Sequence, residues 1–188
     1  MIFNEHYDLR GKHAFLSASK YHWINYDDEK LISSYENALA VQRGNELHDI
    51  ANRLISHGLK LKGSKETLNM YVNDAIGYRM KPEQVLYYSP FCFGTADAIS
   101  FSEKTRLLRI FDLKTGSTPA SMNQLKVYAA IFCLEYGFKP QEIDMELRIY
   151  QSDSVIVEEA DPEDILEIMN KIIIFDKLLE KQEVEALR

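Results

Sequence analysis

The chain has only two cysteines, Cys92 and Cys133, in 188 residues. They cannot form a disulfide framework or a CxxC site, and they exclude a four-thiolate zinc or iron–sulfur centre within one chain. No apolar run approaches the length that crosses a bilayer, which argues against a membrane partner. The opening residues, MIFNEHYDLRGKH, lack the apolar stretch of a signal peptide, so a cytoplasmic protein is expected. Internal repeats and low-complexity segments are missing too, leaving an ordinary globular domain. Positive charge is scarce: 22 Lys and Arg stand against 29 Asp and Glu, for a net charge of -7. That deficit at first argues against a polyanionic partner. However, ten acids and only four bases fall between Glu158 and the end, so the rest of the chain sits near neutrality. The acidity belongs to one segment, and charge leaves the partner open.

What is present supports one domain over residues 1–188, long enough to bury a substantial core. Ser17 or Ser19 can cap a short helix carrying Tyr21, Trp23 and Ile24, in a stretch made basic by Arg10, Lys12, His13 and Lys20. Glu29 to about His57 reads as a long helix with Val41, Gly44, His48, Ala51 and Ile55 along one face, closed by Gly58. A basic loop from Lys60 to Lys65 leads to a second helix over 66–80, which Pro82 stops. Val85 to Phe93 reads as a strand running straight into Gly94. Two more strands follow, GTADAISF and LLRIFDL, joined by a polar turn from Ser102 to Arg106. A breaker-rich loop over 113–120, a helix from Ser121 to Tyr136 and a strand over Glu146–Gln151 come next, with Val155–Val157 continuing or pairing. A last helix over 161–188 has an acidic outer face and an apolar stripe running from Ile165 through Leu179. The expected class is α/β (α+β), a small mixed central sheet flanked by helices.

The most informative stretch is Gly94 to Lys114. Alternation puts Asp97 on one side with Thr95, Ile99 and Phe101, and Asp112 on one side with Leu108, Ile110 and Lys114. If the strands pair through their turn, Asp97 and Asp112 approach each other beside Lys114. Acids in so apolar a stretch cost several kcal/mol unless each is paired or binds a cation. A divalent metal would satisfy both at once, since hard cations prefer carboxylate oxygens. A salt bridge, Asp112 to Lys114 or Asp97 to Arg109, would do so as well. On the helices, His48 reads as a core histidine and the Gln124–Tyr128 pair, one turn apart, as the edge of a core face.

Taken together, Gly44-x-x-x-His48, Gly94-Thr-Ala-Asp97, Asp112-Leu-Lys114 and Gln124-x-x-x-Tyr128 carry more than each does alone. In this order, on helix, strand, strand and helix, they resemble the PD-(D/E)XK nuclease superfamily. Within it the chain looks like the RecB-like, lambda-exonuclease-like branch, and closer still to a phage-borne family sharing a GTADAI…DLK…QL..YA string. The resemblance covers roughly residues 15 to 157 and implies a restriction-endonuclease-like core. It implies Asp97, Asp112, the carbonyl of Leu113 and His48 as ligands of one or two Mg²⁺ or Mn²⁺ ions. Lys114 would position and help deprotonate the attacking water, while Gln124 and Tyr128 would orient that lysine and the bound strand. In the N-terminal segment, residues 1–28, Ser17, Ser19 and Lys20 resemble the part that holds a DNA end, with Lys12 where an arginine is expected. Ala96 replaces the proline of the superfamily name, and the cluster-holding cysteines of some relatives are absent, so no iron–sulfur cluster is expected.

The activity this implies is a metal-dependent deoxyribonuclease, an exonuclease acting on DNA ends in phage-type recombination or repair. An acidic chain is compatible with that, because the site itself is an acidic metal cage. A structure-selective or nicking endonuclease using the same site is an alternative. So is a DNA- or partner-binding module that keeps the fold without turnover. No helicase domain accompanies the motifs, so processivity would come from a homo-oligomer or a recombination partner protein.

Overall fold

The computed structural model describes residues 5–186. Its contacts divide the chain into two compact units between Arg43 and Gly44, within helix α1 (Asp28–Ser56). In the first unit none of the described side chains is buried. The helix expected after Ser17 or Ser19 is a kinked 3-10 stretch, Ala18–Asn25, in which Lys20 leaves helical backbone at φ -114°, ψ 42°. Ser17 stands at its N-cap but makes no capping bond; instead its carbonyl accepts from Trp23 Nε1 at 3.0 Å. The acceptor that opens α1 is Asp27 Oδ1, 2.7 Å from the Lys30 amide.

The second unit is a mixed five-stranded sheet with helices on its faces. Helix α2 (Thr67–Gly77) precedes β1 (Lys81–Ser89), β2 (Cys92–Ser102) and β3 (Leu107–Leu113); α3 (Asn123–Tyr136) then leads to β4 (Asp144–Gln151), β5 (Ser154–Glu159) and α4 (Pro162–Ala186). The strands lie in chain order, all antiparallel neighbours except the parallel pair β3–β4. A parallel pair needs a crossover, and α3 supplies it. Leu108, Ile110, Leu147 and Ile149 pack beneath α3 and the start of α4. Phe111, Leu113 and Tyr150 pack on the opposite face with Tyr71, Val72 and Ala75 of α2 and with Ala51 and Ile55 of α1. β3 is thus covered on both faces, which is why it reads as a nearly unbroken apolar run.

Several sequence expectations shift. Helix α2 ends at Gly77, and Arg79 turns the chain with φ 54°, so Pro82 does not stop it. Pro82 lies inside β1, an edge strand, where its missing N–H costs no ladder bond on the open side. The stretch from Val85 to Phe93 is broken by a hairpin at Pro90–Phe91 into the ends of β1 and β2. Val41 is exposed and does not continue the buried face of α1. Only the first half of the α4 stripe packs: Ile165 is buried, with Ile168, Met169 and Ile172 against the same core. Beyond it Phe175, Leu178 and Leu179 stand 58%, 52% and 45% exposed.

Candidate metal centre

β2 and β3 run antiparallel with Ala98 across from Phe111, and the same register sets Asp97 across from Asp112. On its other side β2 pairs with β1 through Pro82–Ala98 and Gln84–Ala96, which leaves Glu83 opposite Asp97. Glu83 adopts a left-handed backbone, φ 49°, inside a strand, where a side chain pays for that conformation in strain. Alternation slips at the same level: Ala96 and Ile99, three residues apart, join the same core cluster. Thr95 therefore does not share a side with Ile99 and Phe101, as strict alternation predicts.

This slip gathers donors. His48, Glu83 and Asp97 each offer an atom, all within 4.8 Å of one another. They line an open cleft of about 520 Å³ with Asn45, Asp49 and Asn52 of α1. His48 Nδ1 lies 3.5 Å from Asp97 Oδ2, and the same oxygen accepts the Leu113 amide at 2.9 Å. Burial, then the charge of Asp112, push the Asp97 carboxyl up to about 6 from 3.8, against the Leu113 hydrogen bond and His48. Tyr71 beneath the sheet rises as well, through burial first and then the charges of Asp97, Asp112 and Glu83.

Asp112 is 3% exposed. Lys114 Nζ donates to its Oδ1 at 3.1 Å. The ammonium is equally close to Oδ2, at 3.0 Å, yet off its hydrogen-bonding direction, so Oδ2 is buried without a donor. A buried carboxylate that meets one ammonium and acts by its charge on Asp97 fits a cation ligand. From Asp112 a hydrogen-bonded chain runs outward. Lys114 Nζ donates to Gln124 Oε1 at 2.8 Å, Gln124 Nε2 to the Tyr128 hydroxyl at 3.3 Å, and that hydroxyl to the Thr95 carbonyl at 2.7 Å. α3 therefore holds the lysine from the side while β2 anchors α3.

Two glycines make room for this arrangement. A Cβ at Gly94 would stand 3.0 Å from the Tyr128 ring, whose hydroxyl is already committed. One at Gly44 would stand 2.7 Å from Thr115 Oγ1, next to Lys114.

The structure thus brings His48, Asp97, Asp112, Leu113, Lys114, Gln124 and Tyr128 together, with the Leu113 amide rather than its carbonyl touching Asp97. Of the two salt bridges considered, Asp112–Lys114 forms, whereas Arg109 pairs with Glu146 at 3.0 Å. Glu83 was missed: it sits in no motif, and only its level opposite Asp97 gives it away. Lys12, Ser17, Ser19 and Lys20 all belong to the first unit. There the two serine hydroxyls lie 3.2 Å apart, and Lys20 lines a pocket of about 390 Å³ with His13, Trp23, Tyr26 and Tyr35. Compared with protein-family models, curated proteins and solved structures, the chain matches none.

Proposed function

We propose that this chain is a metal-dependent deoxyribonuclease with a restriction-endonuclease-like core of the PD-(D/E)XK type, acting on DNA ends. The observation that carries the reading is the meeting of an acidic donor cluster, His48, Glu83 and Asp97, with a buried Asp112 whose Oδ2 has no donor, beside a lysine held in place. Three antiparallel strands, a crossover helix and a parallel fourth strand support the fold assignment. His48, Glu83, Asp97 and Asp112 would hold Mg²⁺ or Mn²⁺, with the Leu113 carbonyl as the resemblance implies. The hard oxygen donors and one imidazole suit either ion. When bound, such an ion supplies charge neutralisation and Lewis acidity at the scissile phosphate.

The chain's own residues do the rest. Gln124 and Asp112 fix the position of the Lys114 ammonium, so it does not have to be ordered during turnover. An ammonium has three donors, and these partners account for two; the third serves a phosphate oxygen or the attacking water. A proton delivered to or from Lys114 at the water is general acid–base work. Tyr128, pinned on Thr95, stops Gln124 from swinging away.

The test is cleavage of matched linear and closed-circular DNA in Mg²⁺, Mn²⁺ or EDTA, beside Lys114→Ala. Metal-dependent loss of the linear DNA alone, abolished in the variant, is the expected result. Cut circles would make the chain an endonuclease with the same site. Absence of cleavage with either metal, in a protein that still binds DNA, would leave a binding module and overturn the catalytic reading.

A further inference from the structure

Leu113 and Lys114 also line a second cavity, of about 370 Å³, whose other lining residues take no part in the proposed cleavage chemistry. Leu47, Leu68 and Leu113 give its lining apolar side chains; Thr115 and Ser117 bring hydroxyls, and Lys114 an ammonium. We infer that this cavity receives one nucleobase of the bound strand, the base next to the phosphate at Lys114; this rests on the nuclease reading above and gives it a nucleotide subsite.

Size, polarity and charge each favour that occupant. The volume falls at the low end for small-molecule pockets, which run from roughly 300 to 1,000 Å³. It suits one ring system with its sugar and is far too small for a duplex. Apolar walls with a few hydroxyls match a base, which has apolar faces and polar edges. A phosphate is a poor fit at the N-terminus of α2, although Thr67 lines the cavity. That terminus is already taken: Asp153 Oδ1 accepts both the Thr67 amide at 2.9 Å and its hydroxyl at 3.0 Å. The Thr67 hydroxyl in turn accepts the Asp153 amide at 2.7 Å. A carboxylate fixed there repels an anion and leaves Lys114 as the phosphate end of the cavity.

The wall is built at a conformational cost. Ser152 and Asp153 form the two-residue turn between β4 and β5, both left-handed, with φ 50° and 55°. Asn-Gly or Gly-Gly would adopt that turn with less strain. Asp153 supplies what glycine cannot, the carboxylate that fastens the turn to α2 and closes the cavity wall. Gly116, also in the lining, has no atom within 4 Å of where a Cβ would stand, so the wall is open at that point.

The experiment titrates thymidine 5′-monophosphate and, separately, inorganic phosphate into the full-length chain in Mg²⁺, followed by calorimetry or amide NMR. A phosphomonoester is not cut by a diesterase, so turnover does not enter the readout. The nucleotide is expected to bind at least tenfold more tightly than phosphate. Leu68→Trp, which fills the cavity, and Ser117→Trp, on the exposed loop where folding is not at stake, should each remove that excess and leave phosphate binding unchanged. Equal affinity for nucleotide and phosphate in the unaltered chain, or a nucleotide preference untouched by both tryptophans, overturns the subsite. A clear preference lost in both variants, in a chain that cuts no DNA, would retain the subsite and defeat the nuclease reading instead.

Discussion

Asp97 is a carboxylate held where a proton is easier to keep than a charge. Its carboxyl is pushed up to about 6 from 3.8, by burial first and Asp112 second. The folded state therefore binds a proton that the unfolded chain has released between about pH 4 and pH 6. Its stabilising contribution is present below the unfolded value and lost as pH rises through the folded one. Without metal, the chain should become less stable over that window by on the order of 3 kcal/mol. Melting temperatures in EDTA from pH 4 to pH 8 check this. Asp97→Asn should flatten the profile, and Mg²⁺ should restore stability chiefly above pH 6, where Asp97 is ionised. The proximity of Asp97, Asp112, Lys114, Gln124 and Tyr128 could be anticipated because each sits in a short spaced motif. That of Glu83 could not, because its approach depends on a left-handed residue inside a strand, which leaves no local pattern in the sequence.

Among the elements, α4 shows most plainly how far periodicity reaches. Its apolar residues recur at helical spacing over nearly its full length, yet spacing records which side of a helix they occupy, not where the neighbouring layer ends. Ile165 is fully buried, whereas Phe175 and Leu178 lie beyond the core they seemed to continue. Ile165→Ala should cost about 2–5 kcal/mol in denaturant unfolding, as truncation at packed sites does. Phe175→Ser and Leu178→Ser should each change it by no more than about 0.5 kcal/mol. Asp176 interrupts the exposed half: it is buried and accepts from Ser89 at the β1–β2 hairpin, a long-range tie no helical pattern announces. Hairpin placement failed for a similar reason. Tyr87, Tyr88, Phe91 and Phe93 favour strand on either side of Pro90, and that proline was the sole punctuation.

At the scale of the whole molecule, the basic residues proposed to meet a DNA end and the acidic cluster belong to different units. None of the described residues before Gly44 is buried. Deleting residues 1–27 should therefore shift the melting temperature by only a few degrees. Under the nuclease reading it should weaken affinity for DNA ends in a binding titration while leaving turnover at saturating DNA. The general class, a mixed sheet under helices, followed from the alternation of apolar periods; the division at Arg43 did not, because α1 runs across it without a break in pattern. The lone parallel pairing has one more consequence. Every residue proposed for catalysis or metal binding precedes β4, yet the Lys114 amide is held by the Tyr150 carbonyl at 2.9 Å, and Asp112 lies alongside Ile149. During translation, Asp112 and Lys114 leave the ribosome before the strand that pairs with theirs. Non-local pairing of this kind forms late. Until β4 has been made, β3 lacks its parallel neighbour and the Lys114 amide lacks the carbonyl that holds it.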